Sequence, residues 1–423
     1  MRVMGRWRRA VGALAGIAAI ALAASGCTSD GPSEARTPQQ VTGELPGDTV
    51  AQLEDAVTHA MAAAGASGAI VGVWVPWAGA WVTGLGTTEP DSDDPVTTDM
   101  AFRVASMTRP MTCDVLYGLV EDDVVELDDP VSDYVPSVPN LDDVTLRQLC
   151  DNTSGLATSH DTLHGNVLNT PERVWNAREV AAAGLGKQRT EPGVAFTDSD
   201  TGYLLLGLAL QNASHESAAT LLRTYVAEPL GLQATRLPGR KAAAPGEPAL
   251  PGFYSDEADR EEGCVAPRDY TRTSASFGFT DSGAVSTISE LGLYAGSLAA
   301  RAKDGDQLAA RWSGAKPIST TTDSWYQYAG GTFIAGSMIG QQGATTGYLT
   351  SAYADTDNGL TVAVVLNNSA APESLVGYLA KELAAIVSKV PARSGETAPE
   401  FGLPWTAEDY HQRVTDRAVC PIE

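Results

Sequence analysis

Positive charge is scarce in this sequence. In 423 residues, 28 Lys and Arg stand against 52 Asp and Glu, a net charge of -24. The lysines are Lys187, Lys241, Lys303, Lys316, Lys381 and Lys389 alone. Charge will not draw so acidic a chain to nucleic acid or to an anionic membrane surface. Long apolar runs are missing too: nothing after the first 26 residues could span a bilayer. There is no internal repeat and no phosphate-binding glycine loop, and no cofactor is implied. The absence of a Gly-x-Ser-x-Gly elbow argues against an α/β-hydrolase. Cysteines are few, at Cys27, Cys113, Cys150, Cys264 and Cys420, and no two have the spacing of metal ligands. His160 and His164 are four apart, but they stand in a Ser/Thr/Asp/Gly-rich stretch with no third ligand and read as a solvated loop.

The N-terminus is organised for export. Arg2, Arg6, Arg8 and Arg9 precede an apolar stretch from Val11 to Ala24. Ala24-Ser25-Gly26-Cys27 then resembles the lipobox of bacterial lipoproteins. That resemblance implies a signal peptide over 1–26 and a lipid on Cys27. The protein would then be anchored to the outer face of the cell membrane. Residues 27–47, rich in Ser, Thr, Pro and Gly, read as a flexible tether. A folded domain is expected over 48–390, with a Pro-rich tail over 391–423. The four cysteines left after Cys27 would sit in an oxidising compartment, which favours two disulfides. Three connectivities are open at this point.

Periodicity outlines the domain. Val50, Leu53, Val57 and Met61 recur at helical spacing, Thr49 and Gln52 suggest a capping box, and Gly65 a stop. Ala69–Val75 and Ala80–Gly84 read as a hairpin. Trp74, Trp77 and Trp81 beside it read as packing residues. The middle, about 113–285, is helices and loops. Strand patterns return at Gly331–Ile339, Gly347–Ala354 and Leu360–Leu366, and a helix at Glu373–Val387. This order suits an α/β (α+β) domain: an antiparallel sheet from both chain ends, flanked by helices, with a large helical insertion.

Several segments fall in a familiar order: Phe102-Arg103-Val104-Ala105-Ser106-Met107-Thr108-Arg109, Leu127-Asp128-Asp129-Pro130-Val131, Thr145-Leu146-Arg147-Gln148-Leu149 with Thr153-Ser154-Gly155-Leu156, Glu228-Pro229-Leu230-Gly231-Leu232, and Gly283-Ala284-Val285-Ser286-Thr287. Over roughly residues 50–390 they resemble the serine penicillin-binding proteins, class C β-lactamases and D-alanyl-D-alanine carboxypeptidases. The resemblance implies the β-lactamase/transpeptidase-like fold. It also implies disulfides Cys113–Cys150 and Cys264–Cys420.

The same resemblance locates the chemistry. Acyl transfer by serine needs a nucleophile, a base and oxyanion donors. Ser106 keeps the nucleophile position. Arg109 stands where the family has lysine, and a guanidinium stays protonated and cannot serve as a general base. Asp198-Ser199-Asp200 stands for Tyr-Ser-Asn, so two carboxylates replace the phenol. The expectation is that Arg109, Asp198 and Asp200 meet as an ion pair or triad. Gln341 takes the place of His or Lys in the third motif. With Gly343 and Ala344 it should line the pocket, the backbone N–H groups of Ser106 and Ala344 facing an oxyanion.

Two functions follow. One is a degenerate enzyme acting as a cell-envelope binding protein for a peptidoglycan-like peptide or an envelope protein. The other is an active serine hydrolase that acylates Ser106 using an altered base, with a β-lactam, peptide or ester as substrate.

Overall fold

The structure is a computed structural model that describes residues 40–422, except 304–308, 322 and 401. The arginine-rich start, the apolar stretch and Cys27 lie outside the described residues. All that is described falls in one compact unit, Ala35–Glu423.

Helix α1 (Gly47–Ala64) leads into the hairpin of β1 (Gly68–Val75) and β2 (Gly79–Gly86). The helix begins after Pro46 without a side-chain cap, and Gln52 donates back to the Asp48 carbonyl. The capping box is therefore not formed. Gly65 closes the helix in the left-handed conformation, as a glycine stop requires. The tether also ends earlier than its composition suggested: the Gln40 amide donates to the carbonyls of Val75 and Gly79, and Leu45 is buried.

The C-terminal strands are β3 (Lys316–Pro317), β4 (Tyr326–Ala329), β5 (Thr332–Ala335), β6 (Met338–Thr345), β7 (Tyr348–Asp355) and β8 (Thr361–Leu366). Among the described residues they join the hairpin in an eight-stranded sheet of order β2-β1-β8-β7-β6-β5-β4-β3. The strand expected over Gly331–Ile339 is split at Gly336, whose positive φ turns β5 back as β6. The two chain ends meet where β1 pairs antiparallel with β8, Ala69 opposite Leu366.

Strand alternation sends successive side chains to opposite faces. Ile70, Ala363 and Val365 pack into a core shared with the helical insertion. Val71, Val362 and Val364 pack into a second core with α1 and the C-terminal helices.

The insertion supplies α2 (Thr108–Glu121), α3 (His160–Asn169), α4 (Asp200–Ser214) and α5 (Ile288–Lys303). The second face carries α6 (Ser374–Val387) and α7 (Ala407–Thr415). The tail is part of this face. Trp405 donates to the Lys381 carbonyl at 2.9 Å, and the Val419 amide to Ala63 at 2.9 Å. Disulfides join Cys113 to Cys150 and Cys264 to Cys420.

Candidate functional site

Ser106 sits in a 3-10 turn, Ala105–Met107, that runs into α2. Ala105 adopts φ 50°, a left-handed conformation that a residue with a Cβ holds only where its surroundings enforce it. The enforcing contacts are local. Val104 donates to the Ala284 carbonyl at 3.0 Å, and Thr108 Oγ1 to Ala105 at 2.8 Å while accepting from the Ala284 amide at 3.1 Å. Strand β6 passes close by. A Cβ on Gly343 would lie 2.5 Å from the Ser106 amide nitrogen and hydroxyl, so only glycine permits this approach. Ser106 is 4% exposed, and its hydroxyl makes no hydrogen bond to the described residues.

Arg109 lies one turn along α2, on the same side of the helix as Ser106. It is buried, and two of its guanidinium nitrogens are paired with carboxylates: Nη1 meets Asp198 Oδ1 at 2.5 Å, and Nε meets Asp281 Oδ1 at 2.8 Å. Burial opposes its charge, but the two carboxylates outweigh burial and hold it protonated well above its ordinary range. Asp198 Oδ1 also accepts from Asn152 Nδ2 at 3.2 Å. Burial pushes the Asp281 carboxyl up, with Arg109 opposing.

The triad is thus Arg109, Asp198 and Asp281, and Asp200 is not its third member. Asp200 is the first residue of α4, after the N-cap Ser199, and its carboxylate points to another loop. It accepts from the Ser159 amide at 2.7 Å, Thr158 Oγ1 at 2.8 Å and Ser159 Oγ at 2.5 Å. Its work is to hold the start of α3.

Gln341 departs from expectation as well. Its side chain is sealed inside the protein, where Nε2 donates to Tyr328 Oη and to the Gly331 carbonyl, both at 3.0 Å. Tyr328 in turn meets Tyr203 Oη at 2.9 Å, and burial pushes Tyr328 up to about 12. Both phenols stay protonated at neutral pH. Of the three strand residues assigned to the pocket, Ala344 alone borders it.

The pocket is a cleft of about 560 Å³. Ser106, Arg109, Asp198, Asp200 and Asp281 line it together with Ala344 and Thr345. His160 and His164 border it too, from α3 rather than from a solvated loop. Their rings are 4.8 Å apart, and His164 approaches Tyr254 at 5.6 Å. Burial lowers the His164 imidazole below its ordinary value, helped by His160. The four-residue spacing of the histidines was the available signal for this wall.

Glu373, just before α6, completes the lining and was missed as a site residue. Burial, with Asp198 and Asp281 adding, pushes its carboxyl up to about 7 against the pull of Arg109. Val419 places the C-terminal tail at the same pocket.

Residues 53–385 match the family described as Beta-lactamase. The D-alanyl-D-alanine-carboxypeptidase/endopeptidase AmpH of Escherichia coli (strain K12) is 32% identical over 157 residues, 36% of this chain and 40% of that protein. Penicillin-binding protein 4* of Bacillus subtilis (strain 168) is 28% identical over 167 residues, 37% of this chain and 35% of that protein. The chain therefore aligns with two-fifths or less of the length of either relative. Among solved structures, a D-stereospecific amidohydrolase from Streptomyces sp. superposes with a TM-score of 0.67 at 21% identity, over 77% of this chain and 96% of that one.

Proposed function

The chain belongs to the Beta-lactamase family, and from that premise we propose that it is an exported, lipid-anchored envelope protein whose pocket binds a peptide-like ligand without the family's serine chemistry. One observation carries this reading: Arg109, at the position of the expected lysine, is locked between Asp198 and Asp281. A guanidinium so paired takes no proton from Ser106. Asp198, the acid an altered mechanism would use, has Oδ1 occupied by Arg109 and Asn152. By analogy with removal of one member of a catalytic triad, loss of the base costs several orders of magnitude in rate.

Binding needs less than catalysis. The cleft around Ser106 is preserved, and its close contact with Gly343 holds the shape. Export is supported by two disulfides, which persist in oxidising compartments. Ligands of the class suggested by the carboxypeptidase relatives, peptides of the cell wall, fit this setting. So does a segment of another envelope protein.

Intact-protein mass spectrometry after incubation with benzylpenicillin and with a fluorophosphonate tests the reading. We expect no adduct from either. An adduct that vanishes in Ser106→Ala would establish an active serine hydrolase instead. Anchoring is tested separately: Cys27→Ala should move the chain from the membrane pellet to the soluble fraction, and unchanged partition would refute the lipid.

A further inference from the structure

The helical insertion holds a second cavity, of about 320 Å³, that has no part in the chemistry of Ser106. Trp175, Leu208, Ala219, Leu237 and Phe279 give it an apolar wall. Trp175 also meets Phe277 edge to face, with ring centres 5.5 Å apart, and Phe277 borders the Ser106 cleft. An aromatic pair thus stands between the two cavities.

Their charges are opposite. Asp161, Asp198, Asp200, Asp281 and Glu373 line the Ser106 cleft. Among the described residues no acid lines the second cavity, and Arg240 is the one charged residue of its wall. In a chain of net charge -24 that is unusual. Arg240 is held in place: Nη2 donates to the Trp175 carbonyl at 2.5 Å, and the Arg240 carbonyl accepts from Ser274 Oγ at 2.6 Å. Its Nε and Nη1 have no partner among the described residues, and no carboxylate there pairs with it. Arg178 and Lys241, next in sequence to lining residues, are exposed and in no ion pair among the described residues either. Glu179 is taken by Arg173, and Glu216 adjoins the lining only from outside it.

Phe279 gives an independent sign. Its φ is 38°, a positive value that a bulky side chain seldom adopts. The half-buried ring is nonetheless kept at the cavity wall. Strain of this kind gathers where a binding surface must be shaped.

We propose that this cavity is a second binding site, for a small apolar carboxylate whose hydrocarbon body lies against Trp175, Leu237 and Phe279 and whose anionic end meets Arg240. An apolar lining of a few hundred cubic ångströms with one placed charge has the make-up of a small-molecule site. A guanidinium with unpartnered N–H groups suits a carboxylate. The site is separate from the Ser106 cleft and does not depend on whether Ser106 reacts.

Calorimetry on the full chain with hydrocinnamate and with hydrocinnamyl alcohol, its uncharged counterpart, tests this. The carboxylate should bind at least about tenfold more tightly than the alcohol. Gly239→Leu fills the cavity: Gly239 lines it, its φ is not positive, and a Cβ there would meet nothing within 4 Å. This variant should fold, as circular dichroism checks, and lose both probes. Arg240→Gln should weaken the carboxylate about tenfold and leave the alcohol unchanged, and Arg240→Lys should recover part of the affinity. Equal binding of the two probes, no heat from the carboxylate at millimolar concentration, or indifference of the carboxylate to Arg240→Gln would each overturn the proposal. So would carboxylate binding that survives Gly239→Leu in a folded protein. That result would put the ligand in the Ser106 cleft, where Arg260 also has no ion-pair partner among the described residues.

Discussion

Two buried ion clusters share helix α2, and they are opposite in composition. Near its start, one guanidinium, Arg109, lies between the carboxylates of Asp198 and Asp281. Five residues on, one carboxylate, Asp114, lies between the guanidiniums of Arg311 and Arg301. The second cluster is enclosed. Arg311 is 1% exposed, and it donates to Gly330 and Pro110 carbonyls as well as to Asp114, while Tyr294 donates to Asp114 at 2.7 Å. The first is open on one side, since the Asp198 side chain is 48% exposed and borders the cleft. Burial pushes both Asp114 and Asp281 up, yet two guanidiniums hold Asp114 below its ordinary value while Asp281 stays above it. A closed cluster whose central carboxylate is paired on both oxygens holds the fold together. An open one with surplus negative charge sets the potential of a cavity.

The sharpest way to break this comparison is to remove the central group of the closed cluster. Asp114→Asn leaves Arg311 buried without its counter-charge and should cost about 3–5 kcal/mol. Urea denaturation measures it, and a loss under about 1 kcal/mol would put the two clusters on the same footing. Because Asp114 is held below its ordinary value, its contribution is present above the unfolded carboxylate range and is lost as pH falls through the folded value.

Lys381 asks what happens to an enclosed charge with no acid beside it. It is 2% exposed, donates weakly to Gln342 Oε1 and Tyr353 Oη, and is pushed down to about 7 by burial, with Arg413 adding. Between about 7 and the ordinary lysine value near 10.5 the unfolded chain holds a proton that the folded chain does not. This group therefore makes stability rise with pH across that window. Lys381→Met should flatten that rise and stabilise the protein at pH 7 by roughly 2 kcal/mol. Parallel stability–pH curves for the two proteins would contradict it.

Asp281→Asn should have the smallest effect on stability, about 1 kcal/mol, because Arg109 keeps Asp198 and the surplus negative charge falls. Thermal unfolding checks this. A loss as large as that of Asp114→Asn would mean the pocket cluster is structural too.

These clusters also show how far a single sequence can be read. Apolar, β-branched runs marked β1 and the last two strands, because both faces of these strands are buried against separate cores. Arg109 and Asp198 could be paired in advance because both occupy motif positions. Asp281 could not: it is 172 residues from Arg109, in a segment with no local pattern. Asp200 was misplaced because two acids flanking a helix cap diverge, one into the cleft cluster and one toward the 158–159 loop. Gln341 kept its motif position, but Tyr328 and Gly331 draw its amide inward, and both partners come from outside the motif. Glu373 read only as the start of a helix, because its significance lies in distant neighbours.

The proposal at the centre is that Ser106 cannot be acylated because Arg109, paired with Asp198 and Asp281, supplies no base. The most direct test is intact-mass measurement of acylation by benzylpenicillin in the wild-type chain and in the double variant Arg109→Lys with Asp198→Tyr. The account predicts no adduct on the wild type and a Ser106-dependent adduct on the double variant. Acylation of the wild type, or a folded double variant that stays unlabelled, would contradict it.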